Sequence, residues 1–276
     1  MRFIIRWILN HVPRRTIQRM ATWAVPLLGF FYQGRGRECP ICGARYRNFL
    51  PYGYVKGRNN ALCPNCLSLE RHRMIWLWME RNTTLFKNHP RLLHIAPEPS
   101  LMNHFRESYG SSRDYITADI ESPLADQHFD VQNIPLPADS IDVLMCNHLL
   151  EHVEDDRRAM QELYRVLKPG GWGIILVPED RERDITYEDD SITDPKERTR
   201  LFGQYDHRRV YGRDYDDRLR EAGFEVERSD FARRLTEWEK RLYAPGEDDL
   251  VIVHKPMPEC TGHRLPFPRS SSRCAG

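Results

Sequence analysis

Between residues 91 and 254 short apolar runs alternate with stretches of helical period. Leu92-Leu-His-Ile-Ala96, Tyr115-Ile-Thr-Ala118, residues 141–146 and residues 172–177 are each brief and nearly apolar throughout, as strands buried on both faces are. Between them, 100–109 and 155–167 read as helices, the second with Met160, Leu163, Tyr164 and Leu167 on one face. Asp155 and Asp156 open that helix and Arg165 and Lys168 close it, as the helix dipole prefers, and Pro169-Gly170-Gly171 stops it. A helix over 213–222 and strands near 224–228 and 250–254 continue the alternation. Strand–helix alternation of this kind predicts an α/β domain, a parallel sheet covered by helices on both faces.

Upstream the texture differs. Residues 1–34 predict one or two basic amphipathic helices: Arg2 and Arg6 share a face, Arg15 and Arg19 another, and Phe3, Ile4, Trp7 and Ile8 lie opposite the first pair. Pro26 and Gly29 interrupt the apolar run 21–32. Residues 35–66 are rich in Gly, Pro and Cys. A helix over 68–82 follows, with Met74, Ile75, Trp78 and Met79 on a buried face, Ser68 as its cap and Glu70 in its first turn. The expected divisions are therefore a basic helical segment (1–34), a cysteine module with a linking helix (35–90), the α/β domain (91–255) and a loose, proline-containing tail (256–276).

Composition sharpens this picture in one respect. The 276 residues are 40% hydrophobic and carry a net charge of +1, enough for one large domain with an accessory module. The charge is unevenly placed. Residues 1–82 hold fourteen Lys and Arg against three acids, and the remainder twenty-seven against thirty-seven. An anionic contact for the first third follows, whether a membrane surface, nucleic acid or the chain's own acidic domain. No run reaches the ~20 apolar residues that span a bilayer. The start imitates a signal peptide, but Arg6 interrupts it and no small-residue cleavage site follows. The expectation is a cytoplasmic protein, membrane-associated if residues 1–34 act as an interfacial helix.

Cys39-Pro-Ile-Cys42-Gly43 and Cys63-Pro-Asn-Cys66 form two pairs of one spacing. Each turn directs two thiolates at one point, and two turns supply a tetrahedral four-sulfur shell suited to Zn²⁺. With four protein ligands no position stays open, so the expected metal is structural. Cys146, Cys260 and Cys274 have no partner at such a spacing.

In open α/β sheets ligands sit beyond the carboxyl ends of the strands. After the first strand comes Ala96-Pro97-Glu98-Pro99-Ser100; after the second, Asp119-Ile120, where the carboxylate can accept from both hydroxyls of a ribose. Asp130 and Val131 offer an acceptor and a backbone donor to an adenine, and Asn147-His148 follow the strand at 141–146. The segment Asp130-Val-Gln-Asn-Ile-Pro-Leu-Pro-Ala-Asp-Ser-Ile-Asp142, continuing through Asn147-His-Leu-Leu-Glu151-His152-Val, resembles the class I methyltransferases typified by ubiquinone/menaquinone biosynthesis enzymes. So does Leu163-Tyr-Arg-Val-Leu-Lys-Pro-Gly-Gly-Trp172. The chain is similar to a bacterial branch of them that joins a double Cys-Pro-x-Cys module to Ser-Leu-Glu-Arg-His-Arg (68–73), Ala-Pro-Glu (96–98) and Gly-Gln-x-Asp-His-x-Arg-x-Tyr-Gly (203–212). The resemblance implies a Rossmann-like, doubly wound, mostly parallel sheet of seven strands. It also implies S-adenosylmethionine along the strand ends, held by Ala96, Pro97, Glu98, Asp119, Ile120, Asp130, Val131 and Asn147. The first turn departs from the family's acidic-x-Gly-x-Gly-x-Gly: it has no glycine, and its acid has moved to Glu98, where it can meet the cofactor's ammonium. The gap between Asp119 and Asp130 is also short for the usual helix.

Methyl transfer needs alignment of nucleophile and methyl group and a base for the nucleophile's proton. His148 is the first candidate and His207 the second; Arg208, Arg209 and Tyr211 are candidate contacts for an anionic or sugar substrate, and Glu188, Asp189 and Asp190 an acidic cluster. Three readings stand. The first acceptor is a small or lipid- or glycan-linked metabolite, met at a membrane through residues 1–34. The second is RNA, held through Arg45, Arg47, Lys56, Arg58, Arg71 and Arg73. The third is a non-catalytic binding protein on the same fold.

Overall fold

The computed structural model describes residues 29–53 and 57–258. The expected helices of residues 1–34 fall outside that range except for 29–34, as do Lys56, Cys260, Cys274 and the tail from 259. The N-terminal module contains β1 (Gln33–Glu38), β2 (Arg45–Tyr46), β3 (Leu50–Tyr52) and β4 (Arg58–Leu62), paired as two antiparallel hairpins, β1 with β2 and β3 with β4. Helices α1 (Glu70–Asn82) and α2 (Leu85–Asn88) lead into β5 (Leu92–Ile95), α3 (Pro99–Tyr109), β6 (Tyr115–Ala118), β7 (Ile141–Asn147), α4 (Asp156–Val166) and β8 (Leu167–Leu176). An excursion follows through β9 (Tyr187–Glu188), α5 (Pro195–Phe202) and β10 (Arg209–Val210). The chain closes with α6 (Tyr215–Glu221), β11 (Glu225–Ser229), α7 (Phe231–Arg234), α8 (Glu237–Tyr243) and β12 (Leu250–His254).

The α/β fold has a Rossmann-like central sheet ordered β11-β12-β8-β7-β5-β6. β6, β5, β7 and β8 run parallel, while β12 and β11 are antiparallel to their neighbours. Among the described residues the sheet has six strands, not the seven expected. At the β6 edge the chain adds only one parallel bridge, Ala118 to Gln127, framed by Gln127 N–H to Thr117 O at 3.0 Å and Asp119 N–H to Gln127 O at 3.1 Å. A parallel neighbour needs a crossover of about a dozen residues before the strand itself, and the stretch from Asp119 to Asp130 has no room for both.

α1 carries the module onto the sheet. Met74, Ile75 and Met79 are fully buried and Trp78 nearly so, and Trp78 meets Trp172 of β8 edge-to-face at 5.5 Å. Cys39, Phe49 and Cys63 share one continuous core with β5 and β7. The cap expected at Ser68 is absent. Leu69 occupies the N-cap, its N–H donating to His72 Nδ1 at 3.3 Å, while the buried Ser68 hydroxyl lies 3.3 Å from Cys39 Sγ and 3.2 Å from Cys66 Sγ. Asp155 does cap α4, accepting from Arg158 N–H.

Candidate functional site

The four module cysteines converge. Their sulfurs all lie within 4.8 Å of one another, Cys39 to Cys66 at 3.6 Å and Cys42 to Cys63 at 3.8 Å. A tetrahedron with Zn–S arms of about 2.3 Å has edges of about 3.8 Å, so the donor set fits that ion. Two matching turns build it: Gly43 N–H donates to Cys39 O at 2.8 Å and Leu67 N–H to Cys63 O at 3.1 Å. Gly43 and Leu67 both adopt positive φ, +67° and +59°. Hydrogen bonds from Cys39, Cys63 and Cys66 pull the Cys42 thiol far below its ordinary pKa, while bonding to Cys39 and Cys42 pushes Cys63 and Cys66 far above theirs. Four thiolates gathered this closely repel one another, and a dication lets all four sulfurs ionise.

The second site lies at the C-terminal rim of the parallel strands. Ala96 directly follows β5 with φ +48°, and His148 directly follows β7 with φ +53°. Each extends its ladder by one bond, Ala96 N–H to Ala118 O at 2.8 Å and His148 N–H to Leu176 O at 2.7 Å, before the chain turns away. The glycine-free first turn thus takes the left-handed geometry with alanine, at a strain of about 1–2 kcal/mol.

That turn delivers Glu98 inward. Its Oε2 accepts from His94 Nε2 at 2.7 Å and its Oε1 from Asn147 Nδ2 at 3.2 Å, with His72 Nε2 at 3.9 Å from Oε1. His94 Nδ1 takes the Tyr115 hydroxyl at 3.0 Å, which fixes the tautomer that donates to Glu98. Burial opposes the Glu98 charge, yet the hydrogen bond from His94 outweighs it and holds the carboxyl at about 2. Burial takes His72 down to about 3, so it is neutral. Two buried polar atoms beside this carboxylate, His72 Nε2 and Asn147 Oδ1, have no hydrogen-bond partner. His72 Nδ1 accepts from Leu69 N–H, so its Nε2 carries the ring proton, whereas Asn147 Oδ1 is a free acceptor; a cationic, amine-bearing ligand fits that oxygen and the fixed anion beside it. His72, on α1, and His94 were not among the sequence candidates; the Ser-Leu-Glu-Arg-His-Arg run was the available signal for the first.

Farther along the rim, Asp119 Oδ1 accepts from Glu121 N–H at 2.8 Å and Ser122 N–H at 2.7 Å, holding its loop while Oδ2 carries neither bond. Ile120 beside it is 65% exposed, an apolar surface of the kind a nucleoside covers. Val131 is buried. Asp130 binds Gln132 through both oxygens, at 3.1 and 2.9 Å from its side-chain amide, so an adenine amino group would share that carboxylate with Gln132.

At the end of β7, His148 Nδ1 stands 3.5 Å from Oε1 of the buried Glu151. His207 packs edge-to-face on His152 at 4.7 Å, and burial lowers its pKa. The neighbouring substrate candidates have other duties. Arg209 is buried and donates to the carbonyls of Leu150, Val153 and Glu154 at 2.7–2.9 Å. Tyr211 is fully buried, donating to Asp156 at 2.8 Å. Glu188 pairs with Arg209 and Arg218, and Asp190 with Arg208. In the module, Arg45 pairs with Glu38 and Arg58 with Glu70. Arg73 is fully buried, its guanidinium spent on the carbonyls of Asn60, Ala61, Ser68, Tyr243 and Ala244.

Residues 80–175 match a methyltransferase domain family. A probable S-adenosylmethionine-dependent methyltransferase of Mycolicibacterium smegmatis is 29% identical over 101 residues, 37% of this chain and 35% of that protein. The ubiquinone/menaquinone biosynthesis C-methyltransferase of Campylobacter jejuni is 27% identical over 110 residues, 40% of this chain and 42% of its own length. The chain thus spans well under half the length of either relative. Among solved structures, the cyclase SpnF aligns with a TM-score of 0.47 at 17% identity, over 87% of this chain and 96% of that one. The family match and the two relatives support a class I methyltransferase domain carrying β5, β6 and β7.

Proposed function

We propose that the protein transfers a methyl group from S-adenosylmethionine to a small or lipid- or glycan-linked acceptor, with a structural Zn²⁺ on Cys39, Cys42, Cys63 and Cys66. The observation that carries the reading is the ionised, part-buried Glu98 beside the unpartnered Asn147 Oδ1, at the strand end where this domain class holds its cofactor. Bound there, S-adenosylmethionine supplies a sulfonium-activated methyl group. Glu98 and Asn147 Oδ1 meet the ammonium, the Ala96–Pro97 turn lets the backbone come close, Asp119 takes the ribose hydroxyls, and Ile120, Val131 and Asp130 line the adenine. His148, oriented by Glu151 as a carboxylate orients a basic imidazole, accepts the acceptor's proton, with His207 near the same Glu151 as the second candidate.

A metabolite is favoured over RNA by the fate of the basic residues. Arg45, Arg58 and Arg73 are paired or buried, and phosphate contacts need free guanidinium groups. Residues 1–34 remain the segment proposed to meet a membrane surface, and no helix among the described residues is long and apolar enough to cross one.

Calorimetry with S-adenosylmethionine and S-adenosylhomocysteine tests this. One-to-one binding is expected, and Asp119→Ala should weaken it at least ten-fold, the worth of about 1.5–3 kcal/mol for hydrogen bonds to a charged group. No binding by the native chain would favour the non-catalytic reading.

A further inference from the structure

A second convergence of ligand-type side chains lies apart from the cysteines. Glu151 and His152 follow β7; His207 follows α5 across the excursion. One ligand atom of each lies within 4.8 Å of the others. Glu151 is 2% exposed and its buried Oε2 has no hydrogen-bond partner, a costly state for a carboxylate oxygen unless something cationic meets it. Its Oε1 already faces His148 at 3.5 Å.

Both imidazoles are oriented from behind. His207 Nδ1 donates to Phe202 O at 2.9 Å, which leaves Nε2 as its lone-pair nitrogen. His152 Nδ1 stands 3.6 Å from Asp206 Oδ2, and Asp206 is itself held by Gln204 Nε2 at 2.7 Å. A ring nitrogen bonded to a backbone carbonyl, as in His207, with a carboxylate standing beside the other ring, as at His152, is how metal-ligating histidines are usually supported. The two segments are also locked together independently of the three side chains. Arg208 N–H donates to Glu151 O at 2.9 Å, and the buried Arg209 guanidinium gathers the Leu150, Val153 and Glu154 carbonyls. The neighbouring Arg208 is turned to Asp190 and Glu154.

We propose that Glu151, His152 and His207 bind a divalent first-row transition cation at the rim. Two imidazoles and one carboxylate suit Zn²⁺, Mn²⁺ or Fe²⁺, and three protein ligands leave positions open, unlike the four-sulfur site. Those positions face the class of acceptor: a hydroxylated molecule whose oxygen the cation polarises and acidifies, with His148 adjacent to receive the proton. This role for the acceptor rests on the methyltransferase reading; cation binding does not.

The test uses the full chain with its cysteine cluster filled by one equivalent of Zn²⁺. Equilibrium dialysis against Co²⁺ should add one further equivalent, with ligand-field absorption and no thiolate-to-cobalt charge-transfer band. Glu151→Gln, His152→Gln and His207→Gln should each weaken that equivalent at least about ten-fold; thermal melting reports whether each variant folds, as the Arg209 bonds lead one to expect. A native chain that takes up no second equivalent, or a second equivalent indifferent to all three substitutions, overturns the proposal. S-adenosylmethionine calorimetry on the same samples reports the methyltransferase reading separately.

Discussion

The cysteine module and the strand-end rim solve the same problem, holding charged groups where water is scarce, by different routes. The module gathers four sulfurs from two short turns, each closed by its own backbone bond and a left-handed residue, Gly43 or Leu67. Its geometry is local, and only the pairing of the two turns is long-range. The rim gathers His72 from α1, His94 from β5, Glu98 from the following turn and Asn147 from β7. No two of these share a turn of chain except His94 and Glu98. The difference teaches that a site built from repeated local turns tolerates loss of its surroundings, whereas one built from four elements depends on the whole sheet. α1 couples the two, with Ser68 at the sulfurs and His72 at the carboxylate.

The largest effect that separates the regions is on the module. If the module holds Zn²⁺ as proposed, stripping it with a strong chelator, or making Cys42→Ser, should unfold the module around the four cysteines, since a structural zinc contributes on the order of 10 kcal/mol to a small module. Metal content and limited proteolysis read this directly. If α1 transmits the loss, cofactor affinity at the rim falls too; a rim that binds unchanged would show the regions to be independent.

The next effect is a pH dependence centred on the rim. His72 titrates near 6.5 when unfolded and at about 3 when buried, so between those values only the unfolded chain takes up its proton. Stability therefore declines as pH falls from 6.5 towards 3, by about 1.4 kcal/mol per unit from this group. Glu98, depressed from 4.5 to about 2, adds a loss only below pH 4.5. His72→Gln should flatten the curve between 6.5 and 4.5 and leave only the Glu98 fall below it. Denaturant titrations across that range measure both parts, and an unaltered slope would contradict the burial of a neutral imidazole.

The smallest effect concerns the first turn. Ala96 holds φ +48° where glycine would sit without strain. Ala96→Gly relieves that strain but gives the unfolded chain more freedom, so stability should change by no more than about 1 kcal/mol. A large loss on thermal melting would mean that the alanine methyl packs a surface the turn depends on.

The sequence carried the periodic elements and the convergence of the four cysteines further than it carried the rim. Burial on both faces made the runs at β5, β6, β7 and β8 recognisable, and the acidic opening of α4 marked its start; its close was misplaced, since Leu167, Lys168 and Pro169-Gly170-Gly171, expected to end the helix, belong to β8, where pairing with β7 draws the chain into the sheet. The spacing of Cys39, Cys42, Cys63 and Cys66 encodes a turn, and turns are local. Ser68 was misread as a helix cap because its hydroxyl had a stronger claim at the sulfurs. The missing seventh strand came down to length, since the Asp119–Asp130 stretch is too short for a crossover and a strand. Arg209 and Tyr211 looked like substrate contacts because their types suit anions; burial against the Leu150–Glu154 carbonyls is a tertiary fact. His72 and His94 were silent for the same reason, each meaning little until Glu98 stands between them.

The most direct test is a crystal structure with S-adenosylhomocysteine. The account predicts the nucleoside across the rim, its ribose hydroxyls on Asp119, its adenine against Ile120 and Val131, and its ammonium between Glu98 and Asn147. A Pro97–Pro99 turn that fills the crevice, with the ligand absent or bound elsewhere, would contradict it.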